Sequence, residues 1–71
     1  MILDIVNQIR ADSGREPLAT LSSEMRLREE LGLDSLELAV LTVKIEAETG
    51  LDVFAEGLVS TVGQLQERLR Q

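Results

Sequence analysis

Twice in this chain a capping residue stands three places ahead of a Glu or Gln and directly before an apolar-periodic run: Asp34 with Glu37, and Thr61 with Gln64. At that spacing the capping side chain accepts from the backbone N–H of the third helical residue. That residue's side chain in turn accepts from the N–H of the cap, so two helix starts are marked. The helix opened by Asp34 is predicted to reach about Thr49, where Gly50 supplies the stop. The helix opened by Thr61 buries Val62, Leu65 and Leu69 and places Arg68 and Arg70 near its negative end, with Gly63 costing about 1 kcal/mol of propensity relative to alanine. A third helix follows from Ile2, Ile5, Val6 and Ile9, which fall at i, i+3, i+4 and i+7 over about residues 2–12 and are closed by Gly14 and Pro17.

The connections are less regular. From Gly14 to Leu33 the chain has no long periodic run, and Leu18, Leu21, Met25, Leu27 and Leu31 are expected to pin it to the core, with a short helical turn around Ser23–Glu30. The segment Asp52–Gly57, which holds Phe54, is read as one brief extra helix. No strand alternation, internal repeat or low-complexity tract is present. The expected fold is all-α: a small four-helix bundle of three longer helices and one short one, with a long first loop, in a single domain covering residues 1–71. Aromatic residues make up only 1% of a chain that is 44% hydrophobic, so the core must be aliphatic, which suits helix packing better than a small β-barrel.

Composition narrows the chemistry. A chain of 71 residues buries only roughly 60–65% of its unfolded surface, which leaves little room for an internal active site. There is no histidine to activate a serine, and no cysteine to serve as nucleophile, zinc ligand or disulfide partner. Glu46 and Glu48 lie two apart and point to different helix faces, so they cannot converge on one atom. The glycines lack phosphate-loop spacing, and the acids never fall at alternating positions as in a calcium loop. An autonomous enzyme and a metal site are both unsupported.

Thirteen acidic against seven basic residues give a net charge of −6. Residues 34–56 carry Asp34, Glu37, Glu46, Glu48, Asp52 and Glu56 against Lys44 alone, a balance that repels nucleic acid and attracts basic protein surfaces. The opening residues, interrupted by Asp4, Asn7 and Gln8, do not read as a signal peptide, and no apolar stretch approaches the roughly 20 residues of a membrane span. A monomer in the cytoplasm is the expectation.

The second main helix carries two apolar stripes. Leu38, Leu41, Ile45 and Thr49 form one, with Thr42 at its edge, and Leu36, Val40, Val43 and Ala47 form the other. One must face the core; the other is either also packed or offered to partners. At the start of this helix lies Gly32-Leu33-Asp34-Ser35-Leu36. Ser35 takes the first helical position, where backbone N–H groups lack intrahelical partners and the helix dipole is positive, so a phosphate ester would be favourably held there. With no internal base, the hydroxyl depends on another enzyme for its modification.

In these residues the chain resembles the acyl carrier protein family, whose attachment motif is Asp-Ser-Leu at the start of the second helix. The likeness extends over nearly the whole chain, through Leu31-Gly32-Leu33 before the motif, the acidic second helix and the Thr61-Val62 opening of the last one. It implies a carrier and not an enzyme: a phosphopantetheinyl transferase, using coenzyme A and magnesium, joins 4′-phosphopantetheine to Ser35, and Asp34 both caps the helix and is read by the transferase. It further implies a freestanding carrier of acyl thioesters. An acyl-loading ligase or synthase and acyl-transferring enzymes would dock with basic surfaces on Leu36, Glu37, Val40, Val43 and Glu46. Val40, where carriers of fatty acid synthesis usually hold an acid, and the positive Lys44 point to a specialised lipid, polyketide or polysaccharide-modification pathway. Thr49, in place of a commonly aromatic core residue, implies a smaller or differently filled core. An aminoacyl or peptidyl carrier serving an adenylating enzyme is the alternative.

Overall fold

The computed structural model describes residues 1–55 and 57–70. Three helices follow in order: α1 (Ile2–Asp12), α2 (Ser35–Thr49) and α3 (Val62–Leu69). Both capping boxes form. Glu37 N–H donates to Asp34 Oδ1 at 2.8 Å and Asp34 N–H to Glu37 Oε1 at 3.1 Å; Gln64 N–H donates to Thr61 Oγ1 at 3.2 Å and Thr61 N–H to Gln64 Oε1 at 3.3 Å. Gly50 ends α2 at φ +76, a left-handed conformation that favours glycine, and its N–H donates to the Glu46 carbonyl.

The short fourth helix does not form among the described residues. Asp52–Ala55 makes turns instead, with Phe54 N–H donating to Asp52 Oδ1 and Ala55 N–H to the Asp52 carbonyl; Glu56 lies outside the described residues. Arg68, expected to answer the α3 dipole, also reaches across to hold this segment through Nη1, at 2.8 Å from the Val53 carbonyl and 2.6 Å from that of Gly57. Turns likewise replace the helical stretch expected over Ser23–Glu30. The reason is competition for the backbone: Leu27 N–H donates to the Ser60 carbonyl, Val62 N–H to that of Met25 and Gly63 N–H to that of Ser23, so this segment is laced to the start of α3. Gly63 is placed by the same lacing, since a Cβ there would come within 2.9 Å of the Ser23 carbonyl oxygen.

The core is aliphatic throughout. α1 buries Ile2, Ile5, Val6 and Ile9; the long first loop contributes Leu27, Leu31 and Leu33; α2 adds Leu41 and Ile45; and α3 adds Val62 and Leu65. Leu18, Leu21 and Met25 are half-buried against this cluster, while Val53 and Val59, from a segment without periodicity, are fully part of it. The two stripes of α2 divide differently from their spacing. Thr49 is exposed, its hydroxyl donating to the Ile45 carbonyl and accepting from Leu51 N–H, whereas Val40 of the outer stripe packs against the core. Leu36 and Val43 stay outside, 74% and 67% exposed.

Candidate functional site

Ser35 is the first residue of α2 and is exposed, with Asp34 beside it in extended backbone at φ −86 and ψ −177. The capping box occupies the N–H of Glu37, and the helix begins without a partner of its own for the preceding amides. The serine hydroxyl is therefore presented to solvent at the positive end of a 15-residue helix.

Behind the serine, Arg15 organises the approach of the chain. This residue follows α1, yet its Nη1 donates to the carbonyls of Leu31 at 3.3 Å and Gly32 at 2.5 Å, its Nε to Ser13 Oγ at 3.0 Å, and its Nη2 pairs with Glu37 Oε2 at 2.5 Å. Arg10 Nη1 adds a second donor to the Leu31 carbonyl at 2.9 Å. Glu37 consequently has both carboxylate oxygens engaged, one by the Asp34 N–H and one by Arg15. The Asp34 amide, then Arg15 by hydrogen bond and charge, and the nearby Ser13 hydroxyl hold its carboxyl below the usual range, against a desolvation that raises it. No sequence signal announced Arg15: it stands in a loop 22 residues from its partner.

On its other side Ser35 opens on a cleft of ≈ 660 Å³ between α2 and the chain leading into α3. Leu38, Ala39, Val43, Phe54, Leu58 and Val59 supply its apolar lining, and Arg28, Glu29 and Asp52 its charges. Phe54, the one aromatic ring of the chain, is half-buried at this cleft, and Leu58 is 86% exposed beside it. Neither Leu58 nor Arg28 belongs to a recognisable periodic face, and no local pattern singles them out.

Of the expected docking residues, Leu36, Val43 and Glu46 are exposed on α2, Val40 is half-buried and Glu37 is tied to Arg15. Lys44 is half-buried and turned toward α1, with Nζ 3.5 Å from Gln8 Oε1.

Comparison with known proteins bears on this arrangement. A family model described as "Phosphopantetheine attachment site" matches residues 4–69. The chain belongs to that family. It is also 35% identical over 68 residues to a protein named "Acyl carrier protein" from Saccharopolyspora erythraea, covering 93% of this chain and 72% of that one. No solved structure matches it significantly. As a member of the acyl carrier family, the protein is a carrier and not an enzyme, and its cofactor is covalently attached 4′-phosphopantetheine. Carriers of this kind work with a phosphopantetheinyl transferase and with acyl-handling enzymes. The residues present fit the group: an exposed serine hydroxyl opens a capped helix, beside a cleft with an apolar lining. Among the described residues no helix is long and apolar enough to cross a membrane.

Proposed function

We propose that Ser35 is the attachment residue and that the protein presents acyl thioesters from it to dedicated partner enzymes in the cytoplasm. The observation that carries this reading is the placement of an exposed Ser35 as the first residue of a capped helix, at the mouth of an apolar cleft. When bound, the phosphopantetheine arm supplies a terminal thiol on which cargo is held as a thioester. Asp34 holds the helix start and stands next to the hydroxyl for the transferase to read, and the first-turn amides favour the phosphodiester that would sit there. Acyl cargo is favoured over aminoacyl cargo by the name of the relative and by the aliphatic lining of the cleft.

Partners would dock on Leu36 and Val43, which supply apolar area, with Glu46 as the exposed acid that steers a basic surface toward Ser35. Val40 supports this strip from beneath, and Glu37 contributes by holding the helix start that the partner approaches. With Val40 packed inward and Lys44 turned toward α1 where further acids could stand, the strip suits a specialised lipid, polyketide or polysaccharide-modification pathway. The test is intact-protein mass spectrometry after incubation with coenzyme A, magnesium and a broad-specificity phosphopantetheinyl transferase. One phosphopantetheine mass is expected on the wild type and none on Ser35→Ala; addition to the variant would overturn the assignment.

A further inference from the structure

We propose that Arg15 is a positioning residue for the modification of Ser35, holding the chain that enters α2 in the conformation the transferase takes up; this rests on Ser35 being the attachment residue. The segment Leu31–Asp34 is irregular, and Gly32 within it adopts φ +72. Two side chains, Leu31 and Leu33, anchor it from the core side. From the other side the anchor is Arg15. Its planar fork spans two successive carbonyls and a carboxylate at once, which a lysine ammonium cannot do from one position.

A connected path then leads to the serine. Arg15 Nη2 holds Glu37 Oε2, Glu37 Oε1 accepts from the Asp34 N–H, and Asp34 Oδ1 accepts from the Glu37 N–H directly ahead of Ser35. The same guanidinium thereby joins the end of α1 to the Leu31–Gly32 backbone and the cap of α2, whose partners lie 16 to 22 residues from Arg15 in sequence. Exposed ion pairs generally contribute little, but here the Arg15 and Glu37 side chains are only 29% and 16% exposed and every donor group of the fork has a named acceptor. Without Arg15, the turn at Gly32 loses the tie that sets the direction from which the chain reaches Asp34. The modifying enzyme then meets its binding-competent form only part of the time, and apparent affinity falls in proportion to that fraction.

The experiment measures steady-state phosphopantetheine transfer from coenzyme A to wild type, Arg15→Ala, Arg15→Lys and Glu37→Gln. It is run at a temperature where circular dichroism shows each to be folded, with amide exchange followed in parallel. For Arg15→Ala we expect kcat/KM to fall about five- to tenfold, carried by KM with kcat nearly unchanged, in line with a reduced competent fraction. Exchange should quicken at Leu33–Leu36 and stay unchanged in α3. Arg15→Lys and Glu37→Gln should show the same KM increase in weaker form, and they carry the test if the alanine variant does not fold. Unchanged KM in the folded Arg15 variants would overturn the proposal. So would faster exchange spread evenly over the chain, which would make Arg15 a contributor to global stability alone. Failure of the wild type to be labelled at Ser35 would instead overturn the reading on which the proposal rests.

Discussion

Gly32 and Gly50 form a matched pair for testing whether the Arg15 tie is energetically real. Their φ values are +72 and +76, so alanine at either place meets the same backbone penalty. That penalty is about 1–2 kcal/mol for an L-residue in the left-handed region. A stiffer unfolded chain offsets it by roughly 0.4–1 kcal/mol. The surroundings differ: a Cβ on Gly50 has nothing within 4 Å, whereas one on Gly32 would overlap Arg15 Nη1. Arg15 would have to withdraw from the Leu31 and Gly32 carbonyls. The Leu31 carbonyl keeps its bond from Arg10, so one bond to a charged group is counted as lost, about 1.5–3 kcal/mol with the low end applying where water can replace it. Gly50→Ala is therefore expected to cost about 0.5–1.5 kcal/mol and Gly32→Ala about 2–3 kcal/mol. Urea unfolding followed by far-UV circular dichroism measures both, with equal slopes required before midpoints are compared. In an Arg15→Ala background the excess at Gly32 should vanish, since the two sites are in contact and must couple. The reasoning is refuted if Gly32→Ala costs no more than Gly50→Ala, or if its excess survives the loss of Arg15.

Two other perturbations read the site through charge. Glu46→Lys should slow turnover by an acyl-transferring partner most at low salt and converge on the wild type as ionic strength rises; an effect independent of salt would place docking on Leu36 and Val43 alone. Glu37, whose carboxyl is held below the ordinary value chiefly by the Asp34 amide and then by Arg15, binds fewer protons folded than unfolded near its titration. Its stabilisation is thus present above the ordinary glutamate value of about 4.3 and is lost as pH falls through the folded value. The stability gap between wild type and Glu37→Gln should be largest near pH 7 and shrink toward about pH 3, measured by urea unfolding across that range; a gap constant with pH would contradict the engagement of this carboxylate.

Neither periodic spacing nor local propensity alone decides burial and helix formation in this chain. Thr49 continues the inner stripe of α2 by spacing, but it lies in the last turn, where its hydroxyl satisfies the Ile45 carbonyl and the Leu51 amide and the side chain stays exposed. Val40 belongs to the outer stripe by spacing, yet it packs against the core. Ser23–Glu30 holds good helix formers, but their backbone is laced to Ser60, Thr61 and the start of α3, so local propensity yields to partners more than 30 residues away. Val53 and Val59 entered the core from a stretch with no period at all, where a sequence pattern has nothing to report.

By itself the sequence determined where α2 and α3 begin and that Ser35 opens the first of these two. Those outcomes depend on side chains reaching backbone groups three residues away, as Asp34 and Thr61 do. Only the tertiary structure decided that Arg15 meets Glu37, that Phe54 and Leu58 line a cleft beside Ser35, and which part of the second stripe remains outside. Each of these is a meeting of chain segments far apart in sequence, set by how the irregular loops travel between the helices, and no local spacing encodes that path.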